Sequence, residues 1–111
     1  MVVICLECFF ITARKINCKE KYVVEKGKTA YIKCHFKACP MNKLTQTWQK
    51  YENNQYEDID YGGRSSYKKQ ADGSLVIEDI KTMDSGKYRL TADFLRQTSY
   101  ATLEVEVGGK L

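Results

Sequence analysis

The sequence predicts an all-β fold, an antiparallel sandwich or barrel, and three observations support this prediction. From residue 22 onward, apolar residues recur at every second position over short stretches, which is the period of a strand with one buried face. Turn-forming residues separate these stretches about every ten residues. No stretch carries the apolar period of an amphipathic helix. At 111 residues, the chain has the length of one ordinary domain.

The N-terminal half contains three predicted strands. The first covers 22–24 and ends at a turn marked by Gly27. The second is 29–36, TAYIKCHF, whose predicted inward positions are Ala30, Ile32, Cys34 and Phe36. The third is 45–51, TQTWQKY, which contains the single tryptophan. Apolar residues on one face and polar residues on the other are typical of a sheet that packs on the core with one face and exposes the other to solvent.

Five further extended segments follow in the C-terminal half. Asp72 and Gly73 form a strong hairpin signal, because both residue types tolerate the positive φ angles that a tight turn needs. Beyond that turn, Leu75 and Ile77 are the predicted inward residues. The segments are 55–63, 64–70, 73–80, 87–94 and 99–107. No repeat or low-complexity linker divides them, so all strands are expected to share one core.

Charge and motifs argue against several classes of function. The net charge is +4, with ten Lys/Arg against three Glu in residues 1–50 and eight Lys/Arg against eleven Asp/Glu in 51–111. This asymmetry does not concentrate basic and aromatic residues as nucleic-acid binding requires, and such binding would show steep salt dependence. No apolar run is long enough to span a bilayer. With one histidine, no nucleophile elbow and no phosphate loop, we expect no enzyme activity, catalytic residue, metal or cofactor.

The cysteines and the N-terminal segment indicate whether the chain is exported or stays inside the cell. Residues 1–13, MVVICLECFFITA, are predicted to be a signal-like leader, although they lack a basic start, and the alternative is a leading strand. Two of the five cysteines lie in this leader, and the others are Cys18, Cys34 and Cys39. Because Cys34 is predicted to point inward, Cys18 with Cys39 is the disulfide that we expect. Residues 14–21 are expected to be an extension before the domain, and 108–111 a tail.

Several of these residues, in this order and spacing, resemble the immunoglobulin superfamily, most closely its intermediate (I-set) domains. The resemblance covers 22–107 and rests on Gly27, on Cys34 followed by Trp48, on Leu75 and Ile77, and on the run 84–88, DSGKY. It implies an immunoglobulin-like antiparallel β-sandwich with Greek-key connections, in which the Tyr88 hydroxyl bonds to backbone at the corner between two strands. It also implies that Asp84 pairs with a basic residue, for which Arg64 is the candidate.

The resemblance also implies a structural core, with one departure from the family pattern. Leu90 occupies the position where the family usually has its second cysteine, so the usual bridge between the sheets cannot form. Losing such a bridge commonly costs about 2–5 kcal/mol, which apolar packing must supply. Gln46 is a second departure, because it is polar where the family tends to be apolar. The implied core residues are Cys34, Trp48, Leu75, Ile77, Tyr88 and Leu90.

In the family, the exposed face of the sheet formed by strands C, C′, F and G commonly meets protein partners. Alternation places outward, on the C, F and G strands, Thr47, Gln49, Tyr51, Arg89, Thr91, Asp93, Thr102, Glu104 and Glu106. Tyrosine beside charged residues is typical of an interaction surface. The candidate partner-binding residues are Gln49, Tyr51, Tyr56, Asp58, Tyr61, Arg89, Asp93 and Glu104. A merely solvated face is the alternative. Lysines on the A and B strands should make the other sheet basic, which suits homophilic contact.

We therefore expect a non-enzymatic, secreted or cell-surface module that binds a protein partner or mediates adhesion through this face, in one immunoglobulin-like domain. The leader-like segment favours this reading. The alternative is an intracellular structural module, similar to the immunoglobulin domains of titin and twitchin in muscle or cytoskeletal scaffolds. The missing family bridge and the absence of an N-glycosylation sequence favour that alternative.

Overall fold

A computed structural model describes residues 16–36, 45–94 and 97–109 of the chain. The predicted leader, Cys39 and the last two residues of the predicted tail lie outside the described residues. Within these ranges, no helix is long and apolar enough to cross a membrane.

The described residues form ten strands joined by turns and loops, with one short 3-10 helix at Thr82–Asp84. The strands are β1 (Ile16–Asn17), β2 (Lys21–Glu25), β3 (Ala30–Ile32), β4 (His35–Phe36), β5 (Thr45–Glu52), β6 (Gln55–Asp58), β7 (Tyr67–Lys69), β8 (Leu75–Ile77), β9 (Gly86–Phe94) and β10 (Gln97–Gly108).

The strands form two packed layers, which confirms the predicted β-sandwich. One layer is a five-stranded sheet of order β2-β10-β9-β5-β6. The other contains the three-stranded sheet β3-β8-β7 and the two-stranded pair β1-β4. The strand β2 runs parallel to β10, while the other pairs within the described residues are antiparallel. Two tight turns match their sequences: Asn53 and Asn54 adopt positive φ between β5 and β6, and Gly73 does so between β7 and β8.

The chain changes layers between β1 and β2, in a stretch that the sequence suggested was an extension. Ile16 and Asn17 pair with Phe36 and His35 of β4. A few residues later, β2 pairs with β10 in the five-stranded sheet, and the amide of Glu104 donates to the carbonyl of Glu20 at 2.9 Å. The residues from 16 to 21 are therefore part of the sandwich.

A disulfide bond joins Cys18 to Cys34, so the expected pairing of Cys18 with Cys39 is wrong. The register of β1 and β4 places the two cysteines directly opposite each other, with Cα atoms 4.4 Å apart. This spacing fits a closely spaced pair on adjacent antiparallel strands. Cys34 does point into the core, as the alternation predicted, and is 7% exposed. Its inward direction did not exclude bonding, because Cys18 approaches it along the neighbouring strand.

Trp48 is the largest side chain of the buried core between the two layers. It is 1% exposed, and its indole Nε1–H donates to the carbonyl oxygen of Gly73 at 2.7 Å. Leu90 lies directly across from it on β9 and is also 1% exposed. Truncating a buried tryptophan to alanine costs about 3–5 kcal/mol. The structure also buries the other five implied core residues, which are Cys34, Leu75, Ile77, Tyr88 and Leu90.

The Tyr88 hydroxyl donates to the backbone carbonyl of Asp84 at 2.6 Å, which is the corner arrangement that the resemblance implied. The expected partner of the Asp84 side chain is wrong, because within the described residues Arg64 forms no ion pair with it. Instead, the Tyr67 hydroxyl donates to Asp84 Oδ1 at 3.2 Å and the amide of Lys81 donates to Oδ2 at 2.8 Å. Both donors are neutral, and they satisfy a carboxylate that is only 6% exposed.

The polar residue Gln46 faces the interior at the end of the sandwich, where its side chain covers Gly73. A Cβ atom at Gly73 would collide with the Gln46 side chain, and Gly73 has a φ of +89°. The positive φ favours glycine at this position, whereas the contact is with the end of a flexible side chain that can move aside. The backbone carbonyl of Gln46 also accepts a hydrogen bond from Lys69 Nζ. The departure from the family pattern at Gln46 is thus matched by a small residue opposite it.

The first prediction concerns the contribution of the disulfide to stability. Replacing both Cys18 and Cys34 with serine should lower the free energy of unfolding by about 3 kcal/mol, because the bond closes a loop of 16 residues. Urea denaturation of both forms measures the loss. Cys39→Ser is the matched control, since peptide mapping should still recover the Cys18–Cys34 bridge in that variant. Recovery of a peptide linking Cys18 to Cys39 in the unmodified chain would contradict the pairing.

The second prediction concerns the stability of the domain at alkaline pH, which depends on the buried Tyr67 hydroxyl at the Tyr88 corner. Burial, followed by the charge of Asp84, raises the pKa of Tyr67 to about 12, whereas its usual value is 10.0. The unfolded chain therefore loses the Tyr67 proton first, and the free energy of unfolding should fall as pH rises from 10 towards 12. Denaturation at a series of pH values should show a shallower fall for Tyr67→Phe than for the unmodified chain. Equal slopes would contradict this assignment.

Candidate functional site

The outer face of the five-stranded sheet gathers most of the candidate partner-binding residues. The core pair Trp48 and Leu90 fixes the register of β5 and β9, so Gln49 lies directly opposite Arg89 on the outer face. On its other side, Gln49 lies opposite Asp58 of β6. Because side chains alternate across a strand, the residues that flank the core pair point away from the core together.

Arg89 is held between two tyrosine rings in the middle of this face. Its guanidinium carbon lies 4.2 Å from the ring centroid of Tyr56 and 4.9 Å from that of Tyr100. Its Nε and Nη2 both donate to Gln49 Oε1, at 2.8 and 2.6 Å. A guanidinium that stacks on aromatic rings and donates through a planar fork has few remaining rotamers. We call Gln49, Tyr56, Arg89 and Tyr100 the tyrosine–arginine cluster.

Hydrogen bonds and ring contacts extend the cluster over neighbouring strands. The amide Nε2 of Gln49 donates to Asp58 Oδ1 at 2.8 Å, so one glutamine links Arg89 to the β6 edge. The Tyr51 ring meets the Tyr56 ring edge-on, with centroids 5.1 Å apart. Tyr51 is 42% exposed and Tyr100 is 60% exposed. The cluster and Tyr51 therefore present aromatic surface to solvent, while the Gln49 side chain is hydrogen-bonded to both Arg89 and Asp58.

Tyr100 is a member of the cluster that the sequence reasoning missed. The alternation that placed Thr102, Glu104 and Glu106 outward on β10 also applies two residues earlier, to Tyr100. Its partner in the register is Thr91, itself an outward position. Extending the pattern towards the start of β10 would have found it.

Beyond the cluster and the candidate residues that contact it, three further candidate residues lie on or near the same face. Glu104 is on β10 opposite Lys87. Asp93 lies near the end of β9, where its carboxylate accepts a hydrogen bond from the Thr98 hydroxyl. Tyr61 follows β6 in a loop and is 37% exposed. Burial, followed by the charge of Asp58, raises the pKa of Tyr61 to about 12, so this hydroxyl stays protonated near neutral pH.

The expected separation of charge between the two sheets is not what the structure shows. The lysines expected to make one sheet basic include Lys21 and Lys33. Lys21 lies on β2, which belongs to the five-stranded sheet, and its Nζ lies 3.3 Å from Glu106 Oε1. In the other layer, Lys33 lies 3.4 Å from Asp72. These two lysines are partly neutralised, which weakens the charge argument for homophilic contact.

The arrangement of this face suits recognition. No group of three metal-ligating side chains occurs within the described residues. The cluster instead offers stacked aromatic area and a fixed guanidinium at low entropic cost, since its side chains are already ordered before a partner arrives.

Comparison with solved structures identifies the architecture. The extracellular domains 3–5 of Drosophila OTK align with 86% of this chain at a TM-score of 0.67 and 18% identity, and 31% of that chain is covered. For the N-terminal four immunoglobulin domains of an isoform of Dscam1, the alignment covers 87% of this chain and 26% of that chain, at a TM-score of 0.67 and 16% identity. An I-band fragment of titin aligns with 86% of this chain at a TM-score of 0.64 and 13% identity, with 33% of that chain covered.

The chain thus spans about a quarter to a third of each of these structures. At these identities the similarity shows the fold. Among curated proteins, no sequence matches the chain. The immunoglobulin I-set domain family matches residues 15–107. This range includes β1 and the bridged Cys18, in agreement with the sheet topology, and the chain belongs to the immunoglobulin I-set domain family.

Proposed function

We propose that this domain is a non-catalytic recognition module that binds a protein partner through the outer face of its five-stranded sheet. The observation that carries the proposal is that the Arg89 guanidinium is stacked between the rings of Tyr56 and Tyr100. Tyrosine and arginine are the residue types that contribute most to interface energy when they are well packed. Here they are ordered by contacts within the chain, which lowers the entropy that binding must remove.

We also propose that the domain acts at the cell surface or in secretion. The Cys18–Cys34 disulfide supports this location, because such bonds persist in oxidising compartments and are rare in the cytosol. Two of the structures with this fold are extracellular domains of OTK and the N-terminal domains of Dscam1, and another Dscam structure is named a cell adhesion molecule. The signal-like leader at 1–13 is part of the same proposal.

An intracellular structural role is the second candidate, and a specific observation favours it. Leu90 replaces the cysteine of the family bridge, so the two sheets are joined by packing around Trp48, and titin contains domains of the same fold. In that case Cys18 and Cys34 should be reduced in the native chain. Intact mass of the native protein separates the two candidates, since export predicts a start after Ala13 together with a bridged pair.

The binding proposal is tested with the chain as a multivalent bait on an array of secreted and cell-surface ectodomains that includes the chain itself. Tyr100→Ala and Arg89→Met should each weaken binding to the captured partner by about thirtyfold, the usual factor for a hot-spot residue. Arg89→Met keeps an unbranched apolar side chain and removes the guanidinium with its positive charge, its hydrogen bonds and its stacking on the two rings. Tyr56→Ala and Asp58→Lys test whether the β6 edge takes part.

Tyr31→Ala is the matched control, because Tyr31 is 66% exposed and lies on the strand β3 of the other sheet. Its affinity should equal that of the unmodified chain. Binding that survives both cluster variants, or that Tyr31→Ala abolishes, would contradict the assignment of this face.

A further inference from the structure

An open groove lies on the outer face of the five-stranded sheet, beside the tyrosine–arginine cluster. It measures about 410 Å³, which is ample for one long side chain. It is lined by Glu20, Tyr56, Lys87, Thr102, Leu103 and Glu104. The groove therefore lies between an aromatic ring of the cluster and the paired strands β2 and β10.

Two carboxylates border this groove from neighbouring segments. The backbone bond from the Glu104 amide to the Glu20 carbonyl keeps the two residues side by side. In the register, Lys87 of β9 and Lys21 of β2 both lie opposite Glu104, yet neither forms an ion pair with it within the described residues. Glu106, two residues further along β10, differs because Lys21 neutralises it. The negative charge at the groove is thus available to a cation from outside the sheet.

The outer face of the five-stranded sheet around the groove also carries more negative than positive side chains. Outward positions of the five-stranded sheet carry the acidic residues Glu25, Asp58, Asp93, Glu104 and Glu106 against the basic residues Lys21, Lys87 and Arg89. The Arg89 guanidinium is covered by two rings and donates to a neutral amide oxygen. Its charge is therefore less accessible to a partner than the carboxylates are. A basic surface complements this face, and complementary potentials favour both the rate and the specificity of association.

We propose that the partner of this domain presents a basic surface, and that one of its arginine side chains enters the groove between Tyr56 and Glu104. This inference rests on the proposed function and specifies the chemistry of the partner. The guanidinium matches the groove better than an ammonium does, because its planar fork binds carboxylates with two hydrogen bonds and its face stacks on an aromatic ring.

The test is a titration of the isotope-labelled chain with N-acetyl-arginine amide, followed through the backbone amide resonances. The resonances of Lys87, Thr102 and Glu104 should move to saturation with a millimolar dissociation constant, since a single exposed ion pair is weak. N-acetyl-citrulline amide, which has nearly the same shape and no charge, should produce no saturable shift. Equal shifts with both compounds, or none with either, would overturn the proposal.

Matched variants assign the effect to the groove. Glu104→Gln should weaken arginine-amide binding by about fivefold, the upper range for an exposed ion pair. Glu25→Gln, at an exposed position of β2 in the same sheet but outside the groove, should leave the affinity unchanged. Loss of binding in both variants, or in neither, would overturn the assignment. Groove resonances that move with protein concentration alone would show that a second copy occupies the face, and would also overturn it.

The outcomes separate this inference from the proposed function. If the arginine probe fails to bind while Tyr100→Ala still abolishes capture of the protein partner, the sheet face remains the binding surface and only the groove assignment falls. If the probe binds but Arg89→Met and Tyr100→Ala leave capture unchanged, the proposed function falls.

Discussion

The contact between Trp48 and Leu90 determines both the packing of this domain and the arrangement of its surface. The indole lies between the two layers and donates to the carbonyl of Gly73 in the opposite layer, so it fixes how the sheets meet. The same pair fixes the register of β5 and β9. A slip of one residue would move every outward side chain of those strands into the core. The proximity of Gln49 to Arg89 therefore follows from the core.

The Cys18–Cys34 bond takes on part of the role of the missing bridge between the sheets. It joins Cys34, beside the core, to the segment that leaves β1 and enters β2. Two residues beyond Cys18, the Glu20 carbonyl is already bonded to β10 in the other layer. The covalent link therefore connects the layers through a short stretch of backbone, and the packing of Leu90 against Trp48 supplies the direct contact.

The alternation of apolar residues and the regular spacing of turns were sufficient to predict an antiparallel β fold, although β8 is buried on both faces. The corner at Tyr88 was likewise predictable from the run 84–88. The disulfide was not, since β1 has only two residues and such a short strand carries no periodicity. The partner of Asp84 was also missed: Arg64 was chosen for its charge, whereas the buried carboxylate is satisfied by a neutral hydroxyl from β7. Contacts between strands distant in sequence decide such pairings.

Recognition through the outer face of the five-stranded sheet depends on the tyrosine–arginine cluster being ordered in the free domain. The most direct measurement is the NMR signal of the Arg89 Nε–H group in the unbound chain. We predict a resolved, slowly exchanging signal, displaced by the ring currents of Tyr56 and Tyr100, because the proton is bonded to Gln49 between two aromatic rings. A signal that exchanges rapidly at the position of a free arginine would show that the cluster does not form, and would contradict the account.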